Sequence, residues 1–308
     1  MRLGVIGVGH LGKHHARIYG EIAAATNDVE LTAVVDVIPD RADEIAKPLG
    51  AEPLTDFRAL FGKVDAVSLA APTSEHARIG VELLENGIDV LVEKPMTSTL
   101  EESRLLIDAA ARNNRILQAG HVERFNPVVR AAIEVATKPQ FFEIHRLAVF
   151  TPRSLDIDVV LDLMIHDLDI VLSLVHSPVV EVRAVGIAVL SRRADIANAR
   201  IEFEDGCVAN LTASRVSFEK VRKLRFFQPS DYISVDYASQ SGSMVSLRMG
   251  RVTERKLAPP VAEPLKLELE SFIHCVRNRS TPVVTGEDGL RALELAIKIN
   301  EQIARRSK

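Results

Sequence analysis

Through the first 120 residues, unbroken aliphatic runs alternate with longer segments of helical period. The runs fall at 3–8, 31–37, 64–72, 88–95 and 115–120, and the helical segments at 11–25, 39–49, 74–87 and 99–114. Strands that are apolar on both faces must be covered on both, and helices joining parallel strands do this. The pattern predicts an α/β, doubly wound parallel sheet. Helix punctuation agrees with it: Pro39 suits a first helical turn, Ser74 can cap a helix starting near Glu75, and Asn86-Gly87 can close it.

After about residue 122 the period changes. A helix is expected from Pro127 to about Ala136, and strand-like runs follow at 141–150, 179–190, 197–206, 207–216, 224–228 and 232–238, with two helices closing the chain. Strands in succession with short turns such as Glu204-Asp205-Gly206 indicate a C-terminal α+β domain on an open, mainly antiparallel sheet. A chain of 308 residues is expected to hold two domains, here 1–122 and 123–308.

Composition removes several classes. Hydrophobic residues make up 47% and charged residues 26%, and no apolar run approaches the ~20 residues that span a bilayer. Met1 and Arg2 lead directly into a short, glycine-punctuated segment, so no membrane association and a cytoplasmic location are expected. A net charge of -4 with only short basic groups argues against nucleic acid. Cys207 and Cys275 are far apart and outside any ligand spacing, which suggests neither a zinc site nor a disulfide.

The loop after the first aliphatic run reads Gly7-Val8-Gly9-His10-Leu11-Gly12, a GxGxxG pattern between a strand and a helix. In a dinucleotide site the first glycine permits the turn, the second lets backbone NH groups approach the pyrophosphate, and the third lets helix and strand pack closely. Asp36 closes the second run, where a carboxylate accepts from the adenosine ribose and opposes a 2'-phosphate. Arg41 would tolerate that phosphate, so NAD is expected ahead of NADP. A glycine-rich turn without a ligand is the competing reading.

Further motifs follow in order: Pro72-Thr73-x-x-His76, Glu93-Lys94-Pro95, Arg124-Phe125-Asn126-Pro127 and Asp162-x-x-x-His166. With the glycine loop and Asp36, they make the chain resemble the Gfo/Idh/MocA oxidoreductase family over nearly its whole length. The resemblance implies a Rossmann domain over 1–122 and a substrate-binding and oligomerisation domain over 123–308. It also implies a nicotinamide cofactor and hydride transfer at a secondary alcohol carbon of a sugar or cyclitol. Lys94, Asp162 and His166 then match catalytic positions, and Arg124 and Asp169 join Lys94 and His166 at substrate positions. Gly7, Gly9, His10, Leu11, Gly12, Asp36, Pro72, Thr73, His76, Glu93 and Lys94 match cofactor positions. The segment 118–129 resembles the subset acting on nucleotide-activated amino sugars, which implies oxidation of UDP-N-acetylglucosamine at its 3-hydroxyl.

These residue types suit that chemistry. On a helix, Asp158, Asp162, His166 and Asp169 would share one face as a polar stripe on an apolar cylinder. An imidazole with an unperturbed pKa of ~6.5 can take the hydroxyl proton, and a carboxylate one turn away can orient it. Lys94, at the carboxyl end of a parallel strand, can donate to the reacting oxygen. No metal is expected, since the nicotinamide carries the hydride. Alternatives remain for the stripe: a satisfied polar pair at a helix-sheet seam, or a divalent-metal site. Alternatives remain for the molecule: an inositol or free-sugar dehydrogenase, or a non-catalytic dinucleotide-binding regulator. His14 and His15 read as a polar face of the first helix, and Asn126 as either a sugar ligand or a helix cap before Pro127. An open sheet in the second domain predicts a homodimer or homotetramer.

Overall fold

The computed structural model describes residues 1–151 and 157–306. They form two compact units, 1–121 with 265–290, and 122–151 and 157–264 with 291–306.

The first unit runs β1 (Arg2–Ile6), α1 (Gly12–Ala25), β2 (Glu30–Val35), α2 (Pro39–Ala46), β3 (Glu52–Leu54), β4 (Ala66–Leu69), α3 (Thr73–Glu85), β5 (Asp89–Glu93), α4 (Leu100–Arg112) and β6 (Leu117–Gly120). Its six strands are parallel in the order β3-β2-β1-β4-β5-β6, a doubly wound sheet whose order reverses between β1 and β4. The central strands are apolar on both faces because both are covered. One face packs Leu3, Val5 and Leu91 against Ile18, Tyr19 and Ile22 of α1. On α3, a Cβ at Gly80 would lie 2.5 Å from Leu106 of α4, so a glycine is what lets these two helices approach. Helix punctuation is as read at Pro39 and at Asn86-Gly87, where Gly87 takes φ +79. Ser74 does not cap: α3 begins one residue earlier, with the extended backbone of Pro72 as its boundary and Ser74 inside the first turn.

The second unit runs α5 (Pro127–Val135), β7 (Phe141–Leu147), a π-helical turn (Val160–Met164) leading into α6 (Ile165–Leu174), and then β8 (Val179–Ile187), β9 (Ile196–Phe203), β10 (Val208–Ser214), β11 (Val221–Gln228), β12 (Asp231–Asp236), β13 (Ser241–Arg248) and β14 (Arg251–Leu257). The eight strands order as β14-β13-β12-β11-β7-β10-β9-β8, with one parallel pair, β7 with β10, among antiparallel neighbours. Burial alternates along β9, β10 and β12, as expected of a sheet covered on one face. The covered face presents Phe142, Ile144, Ala199, Ala209, Leu211 and Phe226 to Val128 and Val129 of α5, Leu168 and Val171 of α6, and Leu295 and Ile299 of the final helix.

Two helices close the chain, α7 (Pro264–Asn278) and α8 (Gly286–Arg306). A single division at 122/123 does not describe the chain, because Leu269, Phe272, Ile273 and Val276 of α7 fill the core beneath β1 and β5. Burying four such side chains, at about 1.5–3 kcal/mol each, is reason enough for this segment to rejoin the first unit. Among the described residues no helix is long and apolar enough to cross a membrane.

Candidate functional site

In the first unit, the site is made by the loops at the carboxyl ends of β1, β2, β4 and β5, where ligands of open α/β sheets bind. The three glycines of the first loop are there for different reasons. Gly7 takes φ +81, and its Cβ would sit 2.6 Å from the backbone N of Ala71. A Cβ on Gly12 would lie 1.8 Å from the carbonyl oxygen of Gly7. Around Gly9 there is nothing within 4 Å of such a carbon, so the loop leaves open space above its middle residue. No side chain caps α1 and no acid lies in its first turn, so its N-terminal dipole is left for an anion. His10 and Leu11 lie in this loop, Leu11 being the residue before the helix.

Asp36 follows β2. Its carboxylate accepts from Val8 N at 3.1 Å and Ile38 N at 3.0 Å, which locks it to the glycine loop, and Arg41 Nη1 stands 3.4 Å away. After β4, the Pro72-Thr73 step opens α3 and brings in His76, whose imidazole is buried between two loops. Nε2 lies 2.8 Å from Ala71 O, and Nδ1 lies 3.2 Å from Pro95 O and 3.3 Å from Met96 O. Burial pushes its pKa down against the smaller opposing pull of those carbonyls and Glu93, and the ring links the loops after β4 and β5.

Lys94 directly follows β5 and is half-buried, beside a fully engaged Glu93. Glu93 Oε1 is 3.0 Å from His15 Nε2, and Oε2 accepts from Lys94 N at 3.1 Å. Burial alone would raise the Glu93 pKa, but the contact and charge of His15 and the charge of Lys94 outweigh it and hold the carboxyl below its usual range. This corrects the reading of His15 as a polar surface residue. It has no exposed area and holds the carboxylate that fixes the backbone of Lys94, whereas His14 is half-buried. A signal was available: Gly12, His15, Ile18, Tyr19 and Ile22 fall three or four apart on one buried face.

In the second unit, the expected polar stripe is rearranged. Asp158 does not join it: its Oδ1 accepts from Val160 N and Leu161 N at 2.9 and 3.0 Å, and its Oδ2 from Asn300 Nδ2 at 3.0 Å, so it caps the helical segment. Asp162 lies within the wider π turn and His166 in the first turn of α6, both half-buried, while Asp167 and Asp169 are buried. A π turn within an α-helix is often found at functional sites. Asp169 Oδ1 stands 3.4 Å from Arg124 Nη1, so the structure brings these two expected substrate residues together. Asn126 resolves as a cap: its Oδ1 accepts from Val128 N at 3.3 Å, and its Nδ2 donates to Glu123 and to Tyr237 O. Among the described residues, no group of three or more His, Cys, Asp or Glu is arranged to hold a metal ion.

Sequence reasoning left Arg146 and Tyr237 unplaced. Arg146, on β7, lies 3% exposed among Glu123, Asp167 and Tyr237 at the centre of a buried charged network. Burial raises the Tyr237 pKa, and Asp167 raises it further, so its hydroxyl stays protonated and donates to Asp167.

Comparison with known proteins agrees with this architecture. Residues 1–121 match the model of the GFO/IDH/MocA oxidoreductase family with an NAD-binding Rossmann fold, and 146–227 match the GFO/IDH/MocA C-terminal domain. UDP-N-acetylglucosamine 3-dehydrogenase of Acidithiobacillus ferrooxidans is 38% identical over 306 residues, spanning 97% of this chain and 96% of the relative. A solved structure of that enzyme matches with a TM-score of 0.92 at 37% identity, covering 98% of this chain and 97% of the other. The NAD(+)-linked scyllo-inositol 2-dehydrogenase of Bacillus subtilis is 28% identical over 319 residues, 96% of this chain and 92% of its own.

Proposed function

This chain belongs to the Gfo/Idh/MocA family of NAD-binding oxidoreductases, and from that premise we propose that it oxidises the 3-hydroxyl of a nucleotide sugar, UDP-N-acetylglucosamine, to a 3-keto sugar. The observation that carries the substrate is the 38% identity to an enzyme named for that reaction, maintained over 97% of this chain.

The residues of the first unit fit a dinucleotide. Open space over Gly9 and the uncapped start of α1 suit a pyrophosphate, and Asp36, held by two backbone NH groups, presents a carboxylate suited to ribose hydroxyls. The same carboxylate opposes a 2'-phosphate, so NAD is the assigned cofactor ahead of NADP. Pro72, Thr73 and His76 shape the wall beside it. NAD, when bound, accepts the hydride leaving the alcohol carbon. The chain's own residues handle the proton and the charge. His166 takes the hydroxyl proton, Asp162 orients it, and Lys94 donates to the reacting oxygen as negative charge develops there. Arg124 offers a forked donor to the sugar nucleotide, with Asp169 holding it in place.

The test is a comparison of kcat/KM, with NAD, for UDP-N-acetylglucosamine and for scyllo-inositol. The sugar nucleotide is expected to be preferred by at least tenfold. A preference for the cyclitol would support the second reading, inositol dehydrogenase, which the Bacillus subtilis relative favours. NADH formation with neither would remove the assignment. The uncovered face of the eight-stranded sheet supports self-association as a homodimer or homotetramer, which light scattering would test by returning more than one chain's mass.

A further inference from the structure

The buried network around Arg146 touches both segments that carry the expected sugar-facing residues of the second unit. Arg146 Nε and Nη2 donate to the two oxygens of Asp167 at 2.7 and 2.8 Å, and Nη1 donates to Glu123 Oε1 at 2.9 Å. Glu123 directly precedes Arg124, and Asp167 directly follows His166, two residues before Asp169. One planar guanidinium thus ties the short turn Val122–Phe125 to the first turn of α6. The remaining valences are also used. Tyr237 donates to Asp167 Oδ1 at 3.2 Å, its ring lies 5.1 Å from the Arg146 guanidinium carbon, and Asn126 Nδ2 donates to Glu123 Oε2 at 3.1 Å. Arg222, directly across from Arg146 on β11, reaches Glu123 at 3.7 Å.

We propose that Arg146 is a positioning residue: it sets Arg124 against Asp169 and fixes His166 on α6 by holding Glu123 and Asp167 with one fork. This rests on the reading that Arg124, His166 and Asp169 face the sugar. A generic fold-stabilising pair would need one acid. Here two acids from segments separated in sequence converge on the three donor nitrogens of one group, and each acid is next to a residue with an assigned task. A lysine keeps the charge but has a single nitrogen, which cannot grip Asp167 in two places and reach Glu123 as well. Small misplacements of reacting groups cost much in rate, on the order of a hundredfold per ångström.

The experiment uses the full chain and two near-isosteric variants, Arg146→Lys and Glu123→Gln. Amide hydrogen exchange is read over residues 122–126 and 165–169, and steady-state kinetics with NAD and UDP-N-acetylglucosamine in parallel. Arg146→Lys is expected to speed exchange in both segments together and to lower kcat by tenfold or more, with the NAD dissociation constant unchanged. Glu123→Gln, which leaves the grip on Asp167, is expected to loosen 122–126 alone and to raise KM for the sugar more than it lowers kcat. If Arg146→Lys lowers the melting temperature but leaves both segments protected, or leaves kcat and KM at wild-type values, the inference is overturned. If the wild-type chain turns over no sugar, the functional reading fails on its own, and the exchange pattern still decides whether Arg146 couples the two segments.

Discussion

A carbon added at Gly12 would collide with the Gly7 carbonyl at 1.8 Å, whereas one added at Gly9 would meet nothing, and this contrast separates folding from binding at the residue scale. Gly9→Ala is therefore expected to keep the melting temperature of the wild type and to weaken NAD at least tenfold, because the methyl takes the space a phosphate needs. A thermal melt and an NAD titration on the same sample check it, and unchanged affinity would argue against a pyrophosphate at this loop. Lys94→Ala and His166→Ala are expected to lose turnover by about 10²–10⁴, as removal of proton-handling groups does, and His166→Ala to do so while retaining NAD affinity. The glycines and Asp36 were legible in the sequence because their chemistry is local, set by a strand, a turn and the next strand. Arg146 was not, because its partners lie 21 and 23 residues away and no spacing rule links them. His15 was misread by taking its polarity ahead of its helical phase.

At the scale of elements, five strands of the parallel sheet were legible because they are aliphatic runs, whereas β3, three residues without a buried one, was not expected; β7 to β12 were legible as strand-like runs in succession joined by short turns. The hairpin of β13 and β14 was not expected: β14 is exposed at every residue but Leu257, so it carries no hydrophobic period to read. The π turn before α6 has no signature in composition, and Asp158, placed just ahead of the helical segment, caps it instead of joining the expected stripe. Helix α7 was expected as an element but assigned to the wrong unit, since its apolar face says that it packs and not where. Phe272→Ala should accordingly destabilise the first unit by about 3–5 kcal/mol. Hydrogen exchange would find the loss of protection in β1 and β5, and a loss confined to the strands of the second unit would contradict the packing seen here.

For the molecule as a whole, several buried carboxylates impose one direction on the pH response. In Glu123, burial would raise the pKa but the charge and hydrogen bond of Arg146 outweigh it; in Asp195, burial is likewise outweighed by hydrogen bonds from Ser191 and the backbone at Leu190, Ser191 and Val189. A folded-state pKa below the unfolded value of about 4 adds stability above that pH, and the gain is lost as pH falls toward the depressed value. The melting temperature is expected to hold steady from about pH 6 to 8 and to fall below about pH 4, with a smaller acid loss in Glu123→Gln. A melting series in matched buffers reads this directly. The measurement that tests the central claim most directly uses UDP-N-acetylglucosamine carrying deuterium at carbon 3, incubated with NAD and the wild-type chain. The account predicts transfer of that deuterium to the nicotinamide with release of one proton and formation of the 3-keto sugar. Formation of unlabelled NADH, or of none, would contradict it.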